Sequence, residues 1–62
     1  MVAGSWVLRV DVAVKEKVEN WLKVEAKSQY IIMSDADDVE IDFDNIDDAF
    51  RFRMQFDDEL IN

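Results

Sequence analysis

"NIDDAFRFRMQF", residues 45–56, can be read in two ways, and the choice between them sets the fold. Taken by twos it is a strand, with Phe50, Phe52, Met54 and Phe56 on one side and Arg51, Arg53 and Gln55 on the other. Taken from its left edge it is a helix start. Asn45 or Asp44 is a good N-cap, and Asp47 and Asp48 stand in the first turn, where the helix dipole favours negative charge. Asp44-x-x-Asp47 or Asn45-x-x-Asp48 imitates a capping box with a shorter acid. On a helical wheel Ile46, Ala49, Phe50, Phe52 and Phe56 share one broad face, with Met54 at its edge. Arg53 falls within that face and would have to snorkel outward. The strand leaves the NIDD cap unexplained and needs a turn without glycine, so a helix over 45–55 is expected. A helix that hands over to a short strand near Met54 is the intermediate case.

Upstream the chain reads more simply. "VEIDFDN" alternates, with Val39, Ile41 and Phe43 facing one way and Glu40, Asp42 and Asp44 the other. Tyr30, Ile31, Ile32 and Met33 form a short apolar run, consistent with a buried strand. Ser34, Asp35, Ala36, Asp37 and Asp38 between them read as a hairpin turn, because Ser and Asp side chains bond back to their own backbone. "SWVLRVDVAV" is another alternating strand, with Trp6, Leu8, Val10, Val12 and Val14 on one face. The period then changes. Val14, Val18, Trp21, Leu22 and Ala26 at helical spacing predict an amphipathic helix over roughly 14–28.

The order β-α-β-β-α gives an α+β fold. One antiparallel-rich sheet carries both helices on one face, in the manner of a truncated ferredoxin-like domain. The expected core is Trp6, Leu8, Val10, Val12, Val18, Trp21, Leu22, Ile32, Val39, Ile41, Phe43, Ala49 and Phe52. Leu22→Asp is expected to unfold it, because an unpaired buried charge costs several kcal/mol.

Sixty-two residues make a single small domain. A chain of this size buries only roughly 60% of the surface its unfolded form exposes. It has no cysteine and no histidine, hence no disulfide, no thiolate and no imidazole as metal ligand or general base. Half its residues are hydrophobic, so association as a homodimer is expected in place of those staples. The net charge of −8 repels phosphate backbones and anionic membranes, and a basic protein surface is its electrostatic match. Acidity is also a general route to solubility. "MVAGSWVLRV" has no basic region before its apolar run, no stretch approaches the roughly 20 apolar residues of a membrane span, and Val2 breaks the myristoylation pattern. A cytoplasmic protein is expected.

The segment 45–56 resembles the D-A-x-x-F-K/R-x-x-F/W stretch near the C-terminus of many short, uncharacterised proteins of tailed phages and marine viral metagenomes. The matching positions are Asp48, Ala49, Phe52, Arg53 and Phe56. There too the stretch follows a strand like "VEIDFD". The resemblance covers about the last 20 residues well and the rest in layout, and the closing glycine common in that family is missing. It implies a viral origin and a small α+β fold, favours the helix over 45–55, and carries no catalytic residue.

Chemistry finds little purchase. The run "SDADDVEIDFDNIDD" is rich in carboxylates, yet as an EF-hand loop from Asp35 it fails: Glu40 stands where glycine is needed and Ile46 where the bidentate acid is needed. Ser5, Ser28 and Ser34 have no histidine to activate them. Gly4 is the sole glycine, so no phosphate loop exists. No catalytic residue, cofactor or metal is implied. The expected function is a small non-enzymatic, protein-binding module of phage type. Its interaction face would be the carboxylates Asp35, Asp37, Asp38, Glu40, Asp42, Asp44, Asp47 and Asp48. The alternatives are a nucleic-acid mimic that blocks a basic DNA- or RNA-binding protein, and a weak divalent-cation site at Asp35, Asp37 and Asp38. Alternate strand residues lie roughly 6.5–7 Å apart, close to phosphate spacing, so Glu40, Asp42 and Asp44 suit the mimic.

Overall fold

A computed structural model describes residues 6–61. The expectations resting on Val2, Gly4 and Ser5 fall outside them. Strand β1 (Trp6–Asp11) leads through a 3-10 turn (Val12–Val14) into α1 (Lys15–Glu25). The hairpin strands β2 (Tyr30–Ser34) and β3 (Asp38–Phe43) follow, then α2 (Ile46–Gln55) and a second 3-10 turn (Asp57–Glu59). The fold is α+β in the expected order. All strand pairs are antiparallel, and the sheet runs β1-β3-β2. That is the order of a ferredoxin-like βαββαβ domain without its last strand. Where that strand would run, Val10 makes a single bridge to Leu60, and the Ile61 amide donates to the Arg9 carbonyl at 2.8 Å.

Register explains the core. Leu8, Ile41 and Ile32 stand in one row across the sheet, and Trp6, Phe43 and Tyr30 in the next. These even-numbered β1 and β2 residues and the odd-numbered β3 residues point toward the helices. Val10, Val18, Leu22, Val39, Ile41, Phe43, Ala49, Phe52 and Phe56 are buried. The Phe52 ring lies 4.6 Å from that of Phe56 and 5.3 Å from that of Phe43, and the Trp21 ring meets both Phe52 and Phe56 edge-on. Such aromatic pairs contribute about 0.5–1.5 kcal/mol each beyond their buried area.

The 45–56 segment is a helix, capped as its left edge indicates. Asn45 Oδ1 accepts the amides of Asp47 and Asp48 at 2.8 and 3.2 Å. It carries no strand near Met54. Its buried stripe differs from the expected one. Asp48, Ala49, Phe52 and Phe56 point inward, while Ile46 and Phe50 are exposed. At 100° per residue the buried four cluster on one side, and Ile46, Phe50 and Met54 lie on the other. Phe56, left out of the expected core, is buried on that same side: its amide still donates to the Phe52 carbonyl at 2.9 Å, and its ring meets Trp21 edge-on.

Three further corrections concern ends and edges. The first strand stops at Asp11 instead of carrying on to Val14, because Asp11 Oδ1 accepts the Ala13 amide at 2.8 Å and turns the chain. The helix after it spans Lys15–Glu25, shorter at both ends than 14–28. Leu8, Val12, Trp21 and Ile32 are half-buried at the margin of the core, and Trp6 is 42% exposed at the sheet edge. Leu8 and Ile32 stand on the two edge strands, on either side of the buried Ile41 of the central strand. Among the described residues no helix is long and apolar enough to cross a membrane.

Candidate interaction surface

Both helices lie on one side of the sheet, so the other side is open. β3 runs down its middle. Val39, Ile41 and Phe43 point into the core, and strict alternation therefore turns Asp38, Glu40 and Asp42 outward. The register places Val7 and Ile31 on either side of Asp42, and Arg9 and Met33 on either side of Glu40. The open face is thus an acidic ridge with apolar flanks. Val7, Ile31 and Met33 are all about half exposed or more.

The expected acidic residues separate into groups. Asp38, Glu40 and Asp42 stand on the ridge; Asp38 also pairs with Arg9 at 3.8 Å. Asp35 and Asp37 are exposed on the hairpin that ends the ridge, held by the Asp35 amide donating to the Asp38 carbonyl at 2.8 Å. Asp44 is exposed just past β3, its amide donating to the Gln29 carbonyl at 3.2 Å. Asp47 is exposed in the first turn of α2. Asp48 does not belong to this surface: it is 1% exposed. One of its oxygens accepts the amides of Lys27 and Ser28, and the other accepts Arg51 Nη1 at 3.2 Å. It cannot close a capping box because its carboxylate is committed to the α1–β2 loop. Arg51 also donates to the Glu25 carbonyl and carboxylate at 3.1 and 2.8 Å, and stacks over Trp21 at 5.8 Å. Arg51 thus pairs with two acids, Asp48 and Glu25. Of the motif positions, Asp48, Ala49, Phe52 and Phe56 all serve the fold; Arg53 is exposed.

Asp35, Asp37 and Asp38 do not converge. Among the described residues no group of three or more carboxylates is placed to hold a metal ion. The residues that sequence reasoning missed are Ile31 and Met33. A run of four apolar residues looks buried throughout, and only the pairing of β2 with β3 reveals that alternate members face out. Comparison with protein-family models, with curated proteins and with solved structures found no match to this chain.

Proposed function

We propose that this chain is a small non-enzymatic binding module that docks a basic, amphipathic protein segment on the open face of its sheet. The observation that carries the reading is the register that sets Glu40 and Asp42 between exposed Val7, Ile31 and Met33. The free face of a sheet is where a helix packs in layered folds. A helix with apolar residues along one stripe and lysine or arginine beside it would meet both components of this surface. The phage-type origin implied by the C-terminal resemblance fits a protein that acts by occupying another.

Mimicry of nucleic acid is the second reading, and the β3 carboxylates on alternate residues favour it. The apolar flanks favour the first, since a phosphate row has no counterpart to Ile31 and Met33. Salt discriminates between them. A contact made of exposed charges fades as the screening length falls from about 10 Å at 0.1 M to about 3 Å at 1 M, whereas apolar burial persists. Calorimetric titration with a synthetic helix bearing lysines and leucines on adjacent stripes tests this. Affinity should fall with salt yet remain measurable, and the Ile31→Ser/Met33→Ser double variant should lose most of it at high salt. Unchanged affinity in that variant would refute the docking face.

A further inference from the structure

The fold leaves one strand position partly open. The chain end fills only the far part of the outer edge of β1, through the Val10–Leu60 bridge and the Ile61 amide on the Arg9 carbonyl. Since the Arg9 carbonyl points outward, the amide and carbonyl of Val7, two residues earlier, point outward as well. Among the described residues nothing pairs with them. Between this edge and α2 runs a groove of about 220 Å³ walled by Trp6, Leu8, Ile46, Phe50 and Arg53. A second, of about 260 Å³, shares Leu8 and Arg53 with it and adds Arg9, Leu60 and Ile61. Neither groove has a carboxylate in its wall, although fifteen residues of the chain are acidic. Asp57 lines the next hollow with Phe50, Arg53 and Met54. Even so, Arg53 forms none of the ion pairs found among the described residues.

Backbone, walls and charge each select the occupant. An outward amide and carbonyl on a strand edge call for an extended chain, which a docked helix or a small anion does not satisfy. The apolar walls call for a large apolar side chain. The arginines call for a carboxylate, the group that a guanidinium fork matches. A second copy offers the wrong edge, because two such edges would set arginine against arginine. We propose that the β1 edge and its groove bind an acidic, extended segment of another protein, which joins the sheet as its fourth strand. A peptide residue paired with Val7 turns to the open face, as Val7 does. Its two neighbours therefore turn to the helix side, into the groove. One of them is apolar and lies against Trp6, Ile46 and Phe50; the other is Asp or Glu and meets Arg53. The recognition pattern is an apolar and an acidic residue separated by one. At 0.1 M salt the screening length is about 10 Å, so the arginines beside the peptide acid outweigh the carboxylates farther off. The open face takes a basic helix and this edge an acidic strand, so the inference stands apart from the docking proposal.

The probe is a peptide of threonines blocked at both ends, with a leucine and an aspartate two positions apart at its centre. It is made in both orders, for parallel and antiparallel addition. Titrated into the full chain at 0.1 M salt, one order should shift the amides of Trp6, Leu8, Phe50 and Arg53. N-methylation of the threonine between leucine and aspartate removes the donor to the Val7 carbonyl and should weaken binding by about tenfold. Arg53→Glu, at an exposed position, should keep a native circular dichroism spectrum and reverse the preference, taking a lysine in place of the aspartate. Three results would overturn the proposal. The first is equal binding of the aspartate and lysine peptides by the unmodified chain. The second is indifference to N-methylation. The third is no binding of either order at about 1 mM, the weak end of specific association. A two-chain mass in sedimentation equilibrium that Phe50→Asp returns to 7.3 kDa would overturn it too, since a second copy would then hold the groove.

Discussion

The Asp48 carboxylate accepts the Ser28 amide at 2.8 Å, reaching back across 20 residues, and the Lys27 amide at 3.0 Å with the same oxygen. This acid, one of fifteen and the buried one among the described residues, latches the start of α2 to the loop that ends α1. Arg51 completes the latch, bonding Asp48 on one side and Glu25 on the other. Asp48 thus serves the fold of this chain.

Removing the latch should cost most of the stability. Asp48→Ala orphans two loop amides and leaves Arg51 with Glu25 as its one acidic partner among the described residues, and each unsatisfied donor costs about 1–3 kcal/mol. A loss of about 3 kcal/mol in urea unfolding is expected, a large share of what a domain this small possesses. Asp48→Asn keeps an acceptor for the amides and should lose about half as much. Equal stability of Asp48→Ala and the parent chain would show that the loop holds without it.

The rotation of α2 can be read from two phenylalanines. Phe52→Ala removes a ring at 0% exposure and should destabilise by about 3–5 kcal/mol. Phe50→Ala, on the exposed side, should change the melting transition by no more than about 0.5 kcal/mol. If the two variants behaved alike, the wheel would be turned the wrong way.

The cap of α2 separates two candidates that the sequence leaves equal. Asn45 Oδ1 accepts both first-turn amides, so Asn45→Ala should cost about 1 kcal/mol. Asp44→Ala should stay within about 0.5 kcal/mol. Chemical denaturation of both variants decides between them, and a larger loss for Asp44→Ala would move the cap.

Local rules made most of the fold legible. The alternation of "VEIDFD" and the cap of "NIDD" lead directly to β3 and α2, because each depends on near neighbours. What stayed hidden depends on packing between distant elements. Helical spacing marks Ile46 and Phe50 as apolar but does not say which way the helix turns toward the sheet. That choice follows from the inward pull of Phe52 and Phe56 on Trp21. Asp48 reads as one surface acid among many, since its partners at Lys27 and Ser28 are far away in sequence. Ile31 and Met33 look buried for the same reason: their face is set by the pairing of β2 with β3. The acidic ridge itself was legible, whereas its apolar flanks required the register.

The central claim is that the open face of the sheet is the working surface. The measurement that tests it most directly is amide chemical-shift mapping of the full chain during titration with the lysine–leucine helix. A helix of equal charge, with its leucines replaced by glutamine, serves as control. Shifts concentrated on Val7, Ile31, Met33, Glu40 and Asp42, and weaker for the control, are the predicted result. Shifts spread evenly over Asp35, Asp44, Asp47 and the other exposed acids, the same for both helices, would contradict it.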